Sequence, residues 1–294
     1  MDKPLYLDDS RTLFGIALAP PAGAPARAVG VVILNSGLIH NVGPFRLSRD
    51  LAHRLSIEGF PVVRMDESGK GESFEATQAA TGTETHLRDL GAAGGALLRR
   101  HGVERFVVLG LCWGADIGLE CAGRMDAIAG LVMLDGWSPR NGRYYLHRYG
   151  PPLLRVHRWP GMVLRRLRRR ERSDSDILAS IAETSGSRWK DEAGWSSVSA
   201  LCARRLPTLA VYTGDSDGYY SYRGQLRAAL TARRFDTSGV TEVFLKDRKH
   251  LYPIAHHREQ LVGTVTTWLC NTFPASSRVR IARGGSHDRQ AHSH

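Results

Sequence analysis

Two hydrophobic patterns alternate along this chain. Short continuous apolar runs occur at residues 29–34 (Val-Gly-Val-Val-Ile-Leu), 60–65, 105–109 (Arg-Phe-Val-Val-Leu), 128–134, 209–213 and 240–245. Their length and β-branched content are those of strands buried on both faces. Between them apolar residues fall at helical spacing: Leu47, Leu51, Ala52 and Leu55, ending near Gly59, then residues 85–101, 115–124 and 256–271. A first strand pattern at 12–18 precedes them all. Repeated βα alternation predicts an α/β fold with a doubly wound, mostly parallel sheet, and sites in such sheets form beyond the carboxyl ends of the strands.

The alternation stops after residue 136. From there to residue 206 the chain reads as two or more helices, broken at Pro151-Pro152 and Pro160-Gly161. This predicts a helical cap inserted after the sixth strand and lying above the strand ends. The expected division is a core of residues 1–136 and 207–273, a cap of 137–206 and a tail of 274–294. The tail is mostly Ser, Arg, Gly, His and Gln; with almost no large apolar side chain to offset ordering entropy, it is expected to be disordered.

Composition narrows the class further. At 294 residues and 42% hydrophobic content the chain can bury a large core. Its four cysteines, Cys112, Cys121, Cys202 and Cys270, show no CxxC pairing, so neither a disulfide framework nor a zinc site is suggested and a reducing cytoplasm fits best. No stretch offers the about 18 uninterrupted apolar residues of a membrane span, and the charged N-terminus (Asp2, Lys3, Asp8, Asp9) has no apolar region behind it. Much of the net charge of +11 lies in residues 155–172, including Arg165-Arg166-Leu167-Arg168-Arg169-Arg170. This run reads either as the solvated face of a helix with an ordinary apolar stripe toward the core, or as a surface for an anionic carrier or an anionic membrane. No nucleic-acid-binding module accompanies the charge, so no specific nucleic acid is expected.

The candidate chemistry begins where the strand at 105–109 runs into Gly110-Leu111-Cys112-Trp113-Gly114 and on into a helix. A GxCxG turn between strand and helix has the form of a nucleophile elbow with cysteine in the place of serine. Such a turn lifts the sulfur clear of the sheet at a helix N-terminus, where peptide dipoles favour thiolate. A nucleophilic thiol needs a base and an acid to orient it, both on loops after later strands. His250 follows the last strand and is the base, with His256 and His257 in reserve. Asp217, closing Gly214-Asp215-Ser216-Asp217, is the preferred acid, with Asp215 and Asp135 as alternatives. The amide of Trp113 is one expected oxyanion donor; the other comes from the loop after the strand at 29–34, the amide of Leu38 being preferred and that of Gly37 the alternative, while Asn35 and Ser36 of that loop are assigned no chemistry. Asp66 to Ser73 is a turn-rich segment expected to pack beside the elbow. No metal or organic cofactor is called for.

Taken together, the DxxGxGxS segment at 66–73, the elbow, the GxxD and the late histidine resemble the α/β-hydrolase superfamily over residues 12–271. Within it the chain is similar to the exosortase A system-associated hydrolase 1 group, through Ser36-Gly37 leading to Val42-Gly43 and Arg46, the elbow Gly110-Leu111-Cys112, and Arg143-Tyr144-Tyr145-Leu146-His147-Arg148-Tyr149. It departs from the superfamily at Ser68, where DxRGxGxS has arginine, and in the bulk of Trp113. The resemblance implies a cysteine-based acyl hydrolase (esterase or thioesterase) or an acyltransferase, with an ester or thioester substrate that a carrier could present. A noncatalytic binding protein on the same fold is the alternative of another class.

Overall fold

The computed structural model describes residues 2–74, 82–154, 191–216 and 218–275. Eight strands form one sheet: β1 (Lys3–Tyr6), β2 (Phe14–Leu18), β3 (Val29–Ile33), β4 (Val62–Met65), β5 (Arg105–Leu111), β6 (Ile128–Leu134), β7 (Thr208–Thr213) and β8 (Val240–Leu245), in the order β1-β2-β4-β3-β5-β6-β7-β8. β2 pairs antiparallel with both β1 and β4 at one edge, and all later pairings are parallel. β1, which the hydrophobic pattern did not announce, is four residues long and mostly exposed. An edge strand of that kind carries no buried run to read.

Side chains on the buried strands alternate between two cores. On one face Val32, Val63, Val108 and Leu131 pack with Leu90, Ala93 and Leu97 of α2 (Gly82–His101) and Ala115 and Leu119 of α3 (Trp113–Ala122). On the other, Val31, Ile33, Val107, Leu109 and Val132 pack with Leu51 and Leu55 of α1 (Leu47–Ile57) and Leu261, Val265 and Leu269 of the final helix, Ala255–Thr272. Strands buried on both faces read as continuous apolar runs for this reason.

Helices are inserted after β6, as the fold class required: α4 (Gly142–Leu154) and α5 (Asp191–Ala203). α5 packs on α3, the elbow helix. α4 docks above the β7 end of the sheet, where the Tyr144 hydroxyl donates to the Gly218 carbonyl at 2.8 Å and Asn141 Nδ2 donates to the Tyr222 hydroxyl at 2.7 Å. A short helix that the hydrophobic pattern did not predict, α6 (Gln225–Ala232), lies between β7 and β8, burying Leu226, Ala229 and Leu230. The final helix is α7. The basic run at 165–170 and the tail from 276 onward lie outside the described residues.

Candidate active site

β5 ends at Leu111 and α3 starts at Trp113, so the chain reverses within one residue. That residue, Cys112, has φ 56° and ψ −118°. A backbone held there by a non-glycine residue costs on the order of 1–3 kcal/mol and persists only where its surroundings over-determine it. They do so here: the Cys112 N–H donates to the Leu134 carbonyl at 2.8 Å, and its own carbonyl accepts from Ala115 and Asp116 at 3.0 and 3.2 Å. Glycine on either side is a matter of space. A methyl on Gly110 would lie 2.1 Å from the backbone of Gly114, and one on Gly114 would lie 2.3 Å from the Asn35 carbonyl oxygen. The thiol is partly exposed and free.

His250 follows β8, and its backbone N–H donates to Asp215 Oδ2 at 3.3 Å. Its imidazole reaches Asp135: Nδ1 stands 2.9 Å from Oδ2, and an ionised carboxylate takes the ring's N–H there. Burial alone would lower the pKa of this histidine. Hydrogen bonds and charge from Asp135 and Cys112 outweigh it and push the pKa up to about 10, so the ring is held as imidazolium. Cys112 stands near enough to the ring to add to that upward push.

Asp135 is the residue immediately after β6. It is buried, with φ 47°, and its carboxylate accepts from the Thr213 N–H at 2.6 Å, from the Thr213 hydroxyl at 2.7 Å and from the Ser216 hydroxyl. The Tyr219 hydroxyl donates to its backbone oxygen at 2.8 Å. The carboxylate on the histidine thus comes from one strand earlier than the GxxD turn. Asp217, first choice from sequence, lies outside the described residues, and Asp215 engages the backbone of His250 rather than its ring. One signal did point to Asp135: it is the first polar residue after seven buried ones in β6.

Trp113 is the first residue of α3, and the ammonium of Lys70 lies 5.5 Å from the centre of its indole. Leu38 lies at the tip of a turn closed by a bridge between Ser36 and Ile39 and is 72% exposed. Ser68 bonds Asp89 through its N–H and hydroxyl, both at 2.9 Å, and the Arg88 guanidinium donates to the same hydroxyl at 2.9 Å. An arginine from α2 therefore reaches the place where the motif lacks one. Asp116, in the first turn of α3, accepts from the Trp137 N–H at 2.7 Å, and burial pushes its carboxyl up to about 7 against that bond. Among the described residues no group of three or more His, Cys, Asp or Glu side chains is placed to hold a metal ion, and no helix is long and apolar enough to cross a membrane.

The family model described as serine aminopeptidase, S33, matches residues 26–213. That span runs from β3 to the end of β7 and holds Cys112 and Asp135, but stops short of His250. No curated protein matches the chain. Among solved structures, it is similar to a dienelactone hydrolase from Anabaena variabilis (14% identity, TM-score 0.54, covering 92% of this chain and 97% of that one). It is also similar to a proline iminopeptidase from Mycobacterium smegmatis (14%, 0.55, 92% and 98%) and to a proline iminopeptidase-related protein from Thermus thermophilus (21%, 0.53, 94% and 100%). At such identities the likeness establishes the fold and leaves the substrate to the site itself.

Proposed function

The chain belongs to the serine aminopeptidase S33 family, and so to the α/β-hydrolases, and from that premise we propose that it is an acyl hydrolase with cysteine in the nucleophile's place. The observation that carries this reading is the line of contacts from Cys112 at the elbow through His250 to the buried Asp135. His250, oriented by Asp135, carries the proton given up by Cys112 and stands beside the thiolate as imidazolium. The thiolate attacks the carbonyl carbon of an ester or thioester, and the carbonyl electron pair moves to oxygen, facing the amides of Trp113 and Leu38. Collapse breaks the bond to the leaving group, which takes its proton from the imidazolium, and an S-acyl enzyme remains. Water, deprotonated by the same histidine, then releases the acid. The acid of this triad is Asp135, in place of Asp217. The resemblance to the exosortase-associated group supports cysteine as the working nucleophile.

A sulfur nucleophile favours a second reading. The S-acyl enzyme is itself a thioester, open to amines and alcohols, so an acceptor that reached it in place of water would make the enzyme an acyltransferase. The same cap supports an expectation of contact with an anionic membrane surface. α4 leaves Tyr145, Leu146 and Tyr149 exposed, and the arginine run follows it in sequence. Binding to anionic vesicles that disappears in salt is expected; equal partitioning with and without anionic lipid would remove this contact.

Intact-protein mass spectrometry after incubation with a panel of acyl thioesters and aryl esters tests the main proposal. Acylation of the wild type, lost in Cys112→Ala and His250→Ala, is the expected result, and the added mass identifies the acyl group. Full acyl-transfer or esterase activity in Cys112→Ala would sink the mechanism. Acyl amide or ester in place of free acid would identify the transferase.

A further inference from the structure

The segment after β4, residues 66–73, takes no part in the chemistry above, yet it touches both sources of oxyanion donors. Resting on the Cys112 reading, we propose that Asp66 and Asn35 are positioning residues that fix the loop of residues 35–42 against the elbow and so hold the oxyanion hole in place.

Asp66 is fully buried and accepts four hydrogen bonds. They come from Asn35 Nδ2 at 2.8 Å, the Asn41 N–H at 2.6 Å, Asn41 Nδ2 at 2.8 Å and the Glu72 N–H at 3.2 Å. Three of the four donors belong to the two ends of one loop, and Leu38 lies between those ends. Asn35 uses its whole amide: Nδ2 also donates to the Ile39 carbonyl at 2.9 Å, and Oδ1 accepts from the Glu67 N–H at 2.7 Å. Its own carbonyl oxygen sits in the space that Gly114 leaves open behind Cys112. One side chain and its backbone thereby tie the donor loop, the segment after β4 and the elbow together.

The segment is shaped for this task. Gly71 has φ +53°, and a methyl there would lie 2.4 Å from the Asp66 carboxyl carbon, so the glycine gives the carboxylate its room. The Ser73 hydroxyl donates to the Asp66 carbonyl at 2.6 Å. Lys70, paired with the buried Glu67, extends over the indole of Trp113, the other donor residue. Bonds from N–H donors to an ionised carboxylate are short and strong, and donors fixed in advance need no reorganisation as charge develops on oxygen.

Two reagents that attack the same sulfur separate this role from a merely structural one. 4-Nitrophenyl acetate acylates Cys112 through a tetrahedral oxyanion and expels 4-nitrophenolate. Iodoacetamide alkylates it by direct displacement of iodide, with no oxyanion. Second-order rates are measured on the full chain, with the label located on Cys112 by peptide mass spectrometry. Asn35→Ala is expected to lower acylation by about 10²-fold and to leave alkylation at the wild-type rate. Asn41→Ala, which removes one of the Asp66 donors, is expected to lower acylation in the same selective way by a smaller factor, and serves if Asn35→Ala does not fold. Both rates falling together, neither falling, or a wild-type ratio of acylation to alkylation no greater than that of free cysteine would overturn the proposal. Undiminished acylation of Cys112→Ala would instead mark failure of the Cys112 reading.

Discussion

Asp66 and Asp135 are the same chemical group in nearly the same kind of place. Each is a buried carboxylate just past the carboxyl end of a parallel strand, β4 for one and β6 for the other. Their partners differ. Asp66 accepts only from amide N–H groups, none of which titrates. Asp135 accepts from one amide, two hydroxyls and an imidazole. A carboxylate satisfied by fixed amides holds backbone in place; one that leaves an oxygen for histidine couples its charge to a proton that moves. The difference between the proposed clamp and the proposed acid lies in what surrounds the two carboxylates.

The largest expected break in that contrast is Asp135→Asn. An amide in this position holds the ring but cannot stabilise the imidazolium, and comparable replacements in triads cost about 10⁴ in kcat. The loss should also appear in the titration of His250. Its folded pKa of about 10 lies above the ordinary 6.5, so its contribution to stability is fully present below pH 6.5 and is lost as pH rises through 10. In Asp135→Asn the imidazole is expected to titrate closer to its ordinary value, measured by NMR of the ring or by the alkaline limb of the acylation profile. An unchanged alkaline limb would mean that Asp135 does not set the charge of His250.

Next in size comes Asp66→Asn, which turns an acceptor of four N–H groups into a side chain that must itself donate. Thermal unfolding should register it more strongly than Asp135→Asn, because the loop of residues 35–42 loses its anchor. Replacing a buried acceptor so that its donors go unpaired costs about 1–3 kcal/mol per group. Equal melting temperatures for the two variants would erase the distinction between clamp and catalytic acid. A smaller effect is expected of Ser216→Ala, which removes one of the donors to Asp135 and leaves the Thr213 pair in place. About 1 kcal/mol, read as a several-fold fall in the rate of S-acylation, is the expected cost.

The sheet and the elbow could be read from sequence because both are local: buried runs of strand length, and two glycines that a sharp turn demands. The acid could not be chosen in the same way. GxxD after β7 is a good turn signal, but which carboxylate meets His250 depends on how the ends of β6, β7 and β8 lie side by side, a relation between residues 115 positions apart. Asn35 was passed over for a related reason. An asparagine in a tight loop has an adequate local use, and its bond to Asp66 appears only once β3 and β4 are paired. β1 and α6 were missed because a short exposed edge and a brief amphipathic helix carry little periodicity.

A separate effect, on stability alone and absent at low pH, belongs to a third carboxyl, Asp116, which has neither the four donors of Asp66 nor the imidazole of Asp135. One N–H, from Trp137, does not offset its burial, and the carboxyl titrates near 7 instead of 3.8. In this case the folded state binds the proton more tightly than the unfolded chain does. Stability is therefore expected to fall as pH rises from about 4 through 7, by at most about 1.4 kcal/mol for each pH unit crossed. Asp116→Asn keeps the shape and removes the ionisation, so the variant should match the wild type near pH 4 and exceed it at pH 8 in chemical denaturation. A wild type as stable as the variant at pH 8 would mean that Asp116 carries its charge without cost and is as well solvated as Asp66 is well bonded.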